Sequence, residues 1–191
     1  MMINLLKYFF VVISLICSNV FGQTINRYGT TAANFLEIGI GSRATSMGDA
    51  YVAVANDVSS IYWNPAGLSN VSNSSALFMV QPWLVDIDML FAGGAVVVPN
   101  VGVLGLGITH LDYGEMDVTN LEYQDGTGER FGASDMAATF TFSRKIVSWF
   151  SFGSSMKYIS SNIWHSSASA FAVDLGVLVN TKFFSFTGND K

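Results

Sequence analysis

The stretch Asp135–Ser143, DMAATFTFS, decides how this chain is read. Asp135, Ala137, Thr139, Thr141 and Ser143 are small or polar, whereas Met136, Ala138, Phe140 and Phe142 are apolar. Successive side chains of a strand point to opposite faces, so a two-residue period predicts a strand with one greasy face. The same period continues downstream. Phe150, Phe152, Met156 and Tyr158 alternate with Ser151, Gly153, Ser155 and Lys157. Phe171, Val173, Leu175, Val177 and Val179 then alternate with Ala170, Ala172, Asp174, Gly176 and Asn180.

Residue type says what each face meets. A soluble sandwich also alternates, but its outward face is studded with Lys, Glu and Arg. Here the polar face is mostly Ser, Thr, Gly and Ala with isolated charges, which suits a crowded barrel lumen, while Phe, Val and Leu outward suit hydrocarbon. The expected fold is all-β, a transmembrane antiparallel β-barrel. Its strands are expected at 74–82, 86–98, 101–113, 133–145, 149–161 and 169–181, roughly ten residues each, long enough to span a bilayer when tilted.

Leu90–Ile108, LFAGGAVVVPNVGVLGLGI, is apolar for long enough to pass for a membrane helix. Its five glycines and the Pro99-Asn100 turn signal at its centre argue instead for a hairpin of two Val-rich strands. The links alternate in length. Gly114–Gly132 is long and acidic, whereas Pro99-Asn100 and Ile146–Ser148 are short, so the long loop is expected outside and the short turns at the periplasm. Trp149 and Phe150 then fall near the periplasmic interface, Tyr113 and Trp164 near the outer one.

Composition agrees. Charged residues are 12% of the 191 positions against the usual figure of about 25%. Mean hydropathy is +0.40, with 18 Gly and only 3 Pro. A net charge of −5 with no Lys/Arg cluster excludes a nucleic-acid binder.

The first residues read as a targeting signal. One Lys precedes the apolar run Tyr8–Ile16, and Val20-Phe21-Gly22 places a cleavage site after Gly22. Cys17 has a lipoprotein-like position, but Leu15 and Ile16 stand where small residues are needed. As Cys17 is the only cysteine, cleavage leaves no thiol or disulfide chemistry. The expected organisation is a signal peptide over 1–22, an N-terminal plug over 23–72 and barrel strands over 73–191.

The plug holds the least regular sequence, LEIGIGSRATSMGDAYVAVANDVSSIYWNPAGLS over 36–69. Asp57 is expected to cap a short helix through Val58–Trp63. Asn64 caps a second turn that has Pro65 first, and Gly67 takes a left-handed conformation to release the chain. Gly39, Gly41 and Gly48 permit close backbone approach. Arg43 is expected against Asp49 or Asp57, since an unpaired guanidinium in a narrow lumen is costly.

These residues carry a resemblance. The Arg43-Ala44 pair, Met47-Gly48-Asp49-Ala50-Tyr51-Val52-Ala53 and Ala55-Asn56-Asp57-Val58-Ser59-Ser60-Ile61-Tyr62-Trp63-Asn64-Pro65-Ala66-Gly67-Leu68 resemble the amino-terminal signature of the PorV/PorQ family of FadL-like outer-membrane barrels. FSRKIVSWFSFGSSMKYISSNIW and AFAVDLGVLVNT are similar to that family's mid-barrel strands. The resemblance implies a barrel of roughly fourteen strands with its amino-terminal segment in or beneath the lumen. It implies the outer membrane of a Gram-negative bacterium, with outer-membrane lipid around the barrel. For the PorV branch it implies secreted proteins and other type IX secretion components as partners. For the FadL branch it implies uptake of hydrophobic small molecules instead.

The chain departs in length. About six strands is fewer than the eight of the smallest closed barrels, so an incomplete barrel with an open, curved sheet is expected, and a longer parent protein.

Motifs for chemistry are nearly absent, and the expectation is a non-enzyme without cofactor or metal. Gly39–Ala44 matches G-x-G-x-x-A but lacks the βαβ context that a dinucleotide needs. His110 and His165 have no second ligand at metal spacing. His165-Ser166 is the nearest thing to a base and nucleophile, and neighbours on a strand point apart. Gly93-Gly94 is a candidate kink for a small-molecule path. The Gly114–Gly132 loop with Tyr123 and Phe131 is a candidate docking surface for a protein. Lys157 and Asp174 share the polar face. A loop over Ile163–Ala168 would set them directly opposite each other as a lumen pair.

Overall fold

The computed structural model describes residues 33–84 and 87–180. The expected signal peptide with Cys17, residues 23–32 of the expected plug and everything after Asn180 lie outside them.

The described chain is dominated by one six-stranded antiparallel sheet in chain order: β1 (Ser75–Pro82), β2 (Asp88–Val98), β3 (Gly102–Asp117), β4 (Arg130–Val147), β5 (Phe150–Ile163) and β6 (Ser166–Val179). All six expected strands are present and the fold is all-β. The Leu90–Ile108 hairpin forms, with Val98 paired to Gly102 and Asn100 at φ 65°. That left-handed backbone is one that Asn tolerates better than most residues.

Three links differ from expectation. Arg130 donates to Glu115 (2.9 Å) and Asp117 (3.1 Å), which continues the β3–β4 ladder past a bulge and shortens the long loop to 118–129. Val147 pairs with Phe150, so the next turn is Ser148-Trp149 rather than Ile146–Ser148. Ile163 pairs with Ser166, so β5 and β6 join through Trp164-His165 alone, with Trp164 at φ 51°. The turn expected over Ile163–Ala168 is therefore wrong, and the register moves by two. Lys157 pairs with Ala172, and Ser155 with Asp174.

The inner face of the sheet mixes small polar residues with an apolar core, while the outer face exposes large apolar residues. Buried positions on the inner face include Thr109, Thr139, Thr141, Ser143, Ser151 and Ser155. Large apolar residues stand exposed on the other face, Phe78, Leu106 and Phe140 among them, with Phe171, Val173 and Leu175 each about 70% exposed. The inner face is covered by two helical turns, Ser60–Trp63 and Pro65–Asn70, with Asn34–Glu37 packed into the same core, while Ser42–Thr45 sits in a separate small cluster of Ala44, Tyr51, Ala55 and Trp63. Phe35, Ile61 and Leu68 of these turns, with Ile40 and Val58 of the segments between them, pack with Met89, Phe91, Val103, Leu111 and Ile159 of the strands.

Among the described residues β1 and β6 do not pair, so the sheet is open. It is also curved. A Cβ on Gly93 of β2 would touch Val58 (3.2 Å), and one on Gly176 of β6 would touch Pro65 (2.9 Å). Four interstrand steps separate β2 from β6, roughly 19 Å if flat. Val58 and Pro65 are linked by helical turns that advance only about 10 Å. The sheet therefore curls around them.

Candidate functional site

The most constructed region is where residues 58–68 meet the inner face. They are seated by glycines. A Cβ on Gly105 would lie 2.8 Å from Leu68, one on Gly107 2.9 Å from Ile61, and one on Gly153 2.5 Å from the Pro65 carbonyl oxygen. At Gly176 it would overlap the Asn64 amide oxygen. Each seat leaves room for a helical turn that any side chain would fill. The odd/even pattern places these glycines on the small face, and that was the signal available in the sequence. Their role as seats appears only once the segment is docked.

Asn64 does what was expected of it and more. Its Oδ1 accepts from the Ala66 N–H (3.0 Å), capping the turn that Pro65 begins, and its Nδ2 donates to the carbonyls of Val52 (3.0 Å) and Val177 (3.3 Å). The one amide thus ties together two parts of the segment and the last strand. Ser143 Oγ adds a bond to the Ala66 carbonyl (3.2 Å). Asp57 accepts from the Ser59 N–H (2.8 Å) and from its hydroxyl, one turn ahead of the helix, which runs over Ser60–Trp63 rather than Val58–Trp63 and has Ser59, not Asp57, at its N-cap. Tyr62, missed by sequence reasoning, donates its hydroxyl to the carbonyls of Leu36 (2.6 Å) and Ile38 (2.8 Å). Trp63 Nε1 reaches the Ile40 carbonyl (3.1 Å). Burial holds the Tyr62 phenol well above its ordinary pKa, and Asp49 and Glu37 push the same way.

Several expectations are corrected. Arg43 pairs with neither Asp49 nor Asp57 among the described contacts. It donates to Asn56 Oδ1 (2.9 Å) and the Tyr51 hydroxyl (3.2 Å), and Tyr51 in turn donates to Asp57 (3.3 Å). The guanidinium is exposed, so desolvation does not force a carboxylate on it. Gly67 is not left-handed. It sits inside the Pro65–Asn70 turn, where a Cβ would strike the Ala55 carbonyl, and the chain turns out through Val71 in extended conformation. Gly39 does permit close approach, to the Asp49 carboxylate, but Gly48 has open space around it and is favoured instead by its φ of 62°. Asp49 follows at φ 64°, and Met47 is exposed beside them. Gly93-Gly94 makes no kink, because the β2 ladder runs unbroken through both. Gly93 instead makes room for Val58 and the Phe91 ring.

Lys157 and Asp174 share the inner face and form an ion pair at 2.7 Å. They meet diagonally, not directly opposite. The two-residue change of register left both on the same face, and the long Lys stem covers the offset. Lys157 Nζ also lies 5.9 Å from the Tyr62 ring centre, so the pair borders the docked segment.

At the other end of the strands Tyr113 donates to Asp135 (2.7 Å) and Phe131 packs on Trp164 (6.0 Å between ring centres). Phe131 is thus engaged, while Leu121 and Tyr123 on the acidic loop stand exposed. His165 stacks on Trp164 at 4.7 Å. His110 lies on the outer face, paired with Leu90 and Met136. The G-x-G-x-x-A match at Gly39–Ala44 leads only into the four-residue turn Ser42–Thr45, and every strand pair described is antiparallel, so no dinucleotide unit exists there. Among the described residues no three His, Cys, Asp or Glu gather as a metal site.

No protein-family model matches the chain, and no curated protein matches it.

Proposed function

We propose that this chain is the N-terminal part of an outer-membrane β-barrel of the PorV/PorQ type, with residues 34–70 as its plug, serving the handling of secreted proteins in type IX secretion. The observation that carries the membrane reading is the outer face of the sheet, where Phe78, Leu106, Phe140, Phe171, Val173 and Leu175 stand exposed. Water penalises that outer face at about 25 cal/mol per Å² of apolar surface, and hydrocarbon does not.

Within that reading, two features favour a protein partner over a conduit for hydrophobic small molecules. The expected weakness at Gly93-Gly94 is an intact stretch of wall. The inner face that a conduit would use is occupied by the docked segment, while Leu121 and Tyr123 present apolar groups on an acidic loop at the end proposed to face outward. A pair of this kind suits docking of a folded domain, and it calls for no catalytic residue.

The test is made in cells. The protein should fractionate with the outer membrane, and its deletion should retain cargo of the secretion system without lowering long-chain lipid uptake. Leu121→Ser/Tyr123→Ser should reproduce the cargo defect at normal protein level. Recovery as a soluble periplasmic protein refutes the membrane reading. Loss of lipid uptake with normal secretion refutes the choice of partner.

A further inference from the structure

β6 ends the sheet with one edge open, and the ladder on its other side fixes which groups that edge presents. Asn180 N–H donates to the Trp149 carbonyl (2.8 Å), so Phe150 and Val179 form a non-hydrogen-bonded pair. The β5–β6 register runs unbroken from there to Ile163 and Ser166. Pairs of an antiparallel ladder alternate, so Phe171, Val173, Leu175, Val177 and Val179 turn their N–H and C=O groups away from β5, toward the open edge. Among the described residues only the Val177 carbonyl is met there, by Asn64 Nδ2 (3.3 Å). The same five side chains are exposed on the outer face. An apolar edge of this length is a template for one more strand.

The chain itself supplies a match. Every described strand pairs with its neighbour in sequence, and two of the links, Ser148-Trp149 and Trp164-His165, are two residues long. After β6 the sequence reads Lys182-Phe183-Phe184-Ser185-Phe186-Thr187. A two-residue turn at Asn180-Thr181 would set Lys182 opposite Val179, whose N–H and C=O are both free to close it as a hydrogen-bonded pair. Phe184 then falls beside Val177 and Phe186 beside Leu175 on the outer face. Ser185 falls beside Gly176 and Thr187 beside Asp174 on the inner face. Turn length and the two-residue period thus agree on one register, and a slip of one residue would reverse the faces. Phe183 is the one large inner residue. It falls beside Leu178, where half-exposed Val52 lies close, since the Val52 and Val177 carbonyls share the Asn64 amide.

We infer that residues 182–187 add to the open edge of β6 as a seventh antiparallel strand, in the register Lys182–Val179, Phe184–Val177 and Phe186–Leu175. The strand gives the edge groups of β6 the partners that hydrocarbon cannot supply. Turning Phe184 and Phe186 to lipid rests on the membrane reading above, whereas the addition of the strand does not.

Disulfide trapping in the full chain, in a Cys17→Ser background, tests the register. Leu175→Cys/Phe186→Cys brings two Cα atoms to about 5.5 Å, inside the range a disulfide spans. Lys182 lies between the two positions, so trypsin separates the peptides, and mass spectrometry of the unreduced digest measures the link. Mild oxidation should join this pair at least about tenfold more than Leu175→Cys/Ser185→Cys, whose side chains fall on opposite faces. Val177→Cys/Phe184→Cys should repeat the result independently. Equal yields at 185 and 186, a preference for 185, absence of any link in both outer-face pairs, or links only between two molecules would overturn the inference, the last by giving the edge to a second copy. Fractionation of the same samples reads the membrane question separately. Linked protein in the soluble fraction keeps the strand and refutes the membrane reading, and unlinked protein in the outer membrane does the reverse.

Discussion

Gly94 and Gly153 lie in the same sheet, each inside a ladder and neither at positive φ, yet on opposite faces. Replacing either by alanine removes the same backbone freedom from the unfolded chain and adds the same strand propensity, about 0.5–1 kcal/mol in favour of folding. What differs is the space. At Gly94 the nearest atom to the new methyl is the Ser75 carbonyl oxygen at 3.9 Å, an ordinary contact. At Gly153 the methyl would fall on the Pro65–Ala66 peptide, 2.5 Å from the Pro65 oxygen. Backbone cannot rotate away as a side chain can. This peptide is held through its Ala66 N–H by the Asn64 cap, and the next peptide is held through the Ala66 C=O by the Ser143 hydroxyl.

Overpacking of this kind costs about 1–3 kcal/mol, and a backbone obstacle puts Gly153→Ala at or beyond the upper end. Since the propensity term cancels, the two variants should differ by about 3 kcal/mol. Guanidinium unfolding of protein refolded in detergent micelles, followed by circular dichroism, measures it. Gly94→Ala should be as stable as wild type or slightly more so, and Gly153→Ala should unfold at clearly lower denaturant. A Gly153→Ala midpoint equal to or above that of Gly94→Ala would refute the claim that inner-face glycines are seats for the helical segment.

Asn64→Ala leaves the Ala66 N–H and the Val52 and Val177 carbonyls without their partner, and should cost about 2–4 kcal/mol in the same assay, with Asn64→Asp intermediate because it keeps the cap. Tyr62→Phe should cost about 1–2 kcal/mol at neutral pH. It should also change the alkaline limb: the native phenol is raised above the unfolded value of 10.0, so its contribution is whole below about pH 10 and falls as pH rises past it, a decline that Tyr62→Phe should flatten. A double-mutant cycle of Lys157→Met with Asp174→Asn should return a coupling of about 0.5–1 kcal/mol, and a value of zero would show the 2.7 Å pair to be incidental. Arg43→Gln should change stability by less than about 0.5 kcal/mol, because the exposed guanidinium gives up bonds that water replaces.

The parts of the fold that depend only on odd and even numbering were legible, and those that depend on loop length were not. Thr139, Thr141, Ser143 and Ser155 face inward because each shares parity with its neighbours on one strand, whatever that strand is paired to. The partner of Lys157 depends on where the β5–β6 turn falls. Trp164-His165 carries none of the Gly, Asn or Asp that usually announces a two-residue turn. The error was two residues, and an even slip leaves faces untouched, so Lys157 and Asp174 still meet. Gly67 was misread because a glycine after a helical turn has two physical uses. The sequence does not distinguish a left-handed exit from a place where another backbone passes close. Arg43 was misjudged by assuming burial that the docked segment does not impose on it.

The unusual features of this sheet answer to one requirement. Strands this rich in inner-face Gly, Ser and Thr lack the side-chain volume to fill the space that their own curvature encloses. Residues 34–70 supply that volume, bringing Phe35, Ile40, Val58, Ile61 and Leu68 against Met89, Phe91, Val103, Leu111 and Ile159 of the wall, with Leu77, Met79 and Val97 beside them. The segment's polar backbone then needs partners, and the hydroxyls and Asn64 provide them at Ala66, Val52 and Val177. A wall of large inner residues would exclude the segment, and the segment without glycine seats could not approach closely enough to reach those hydroxyls. The small inner face and the irregular N-terminal stretch are therefore two halves of one core. The large apolar residues that take no part in this core, Phe171, Val173 and Leu175 among them, stand on the outer face.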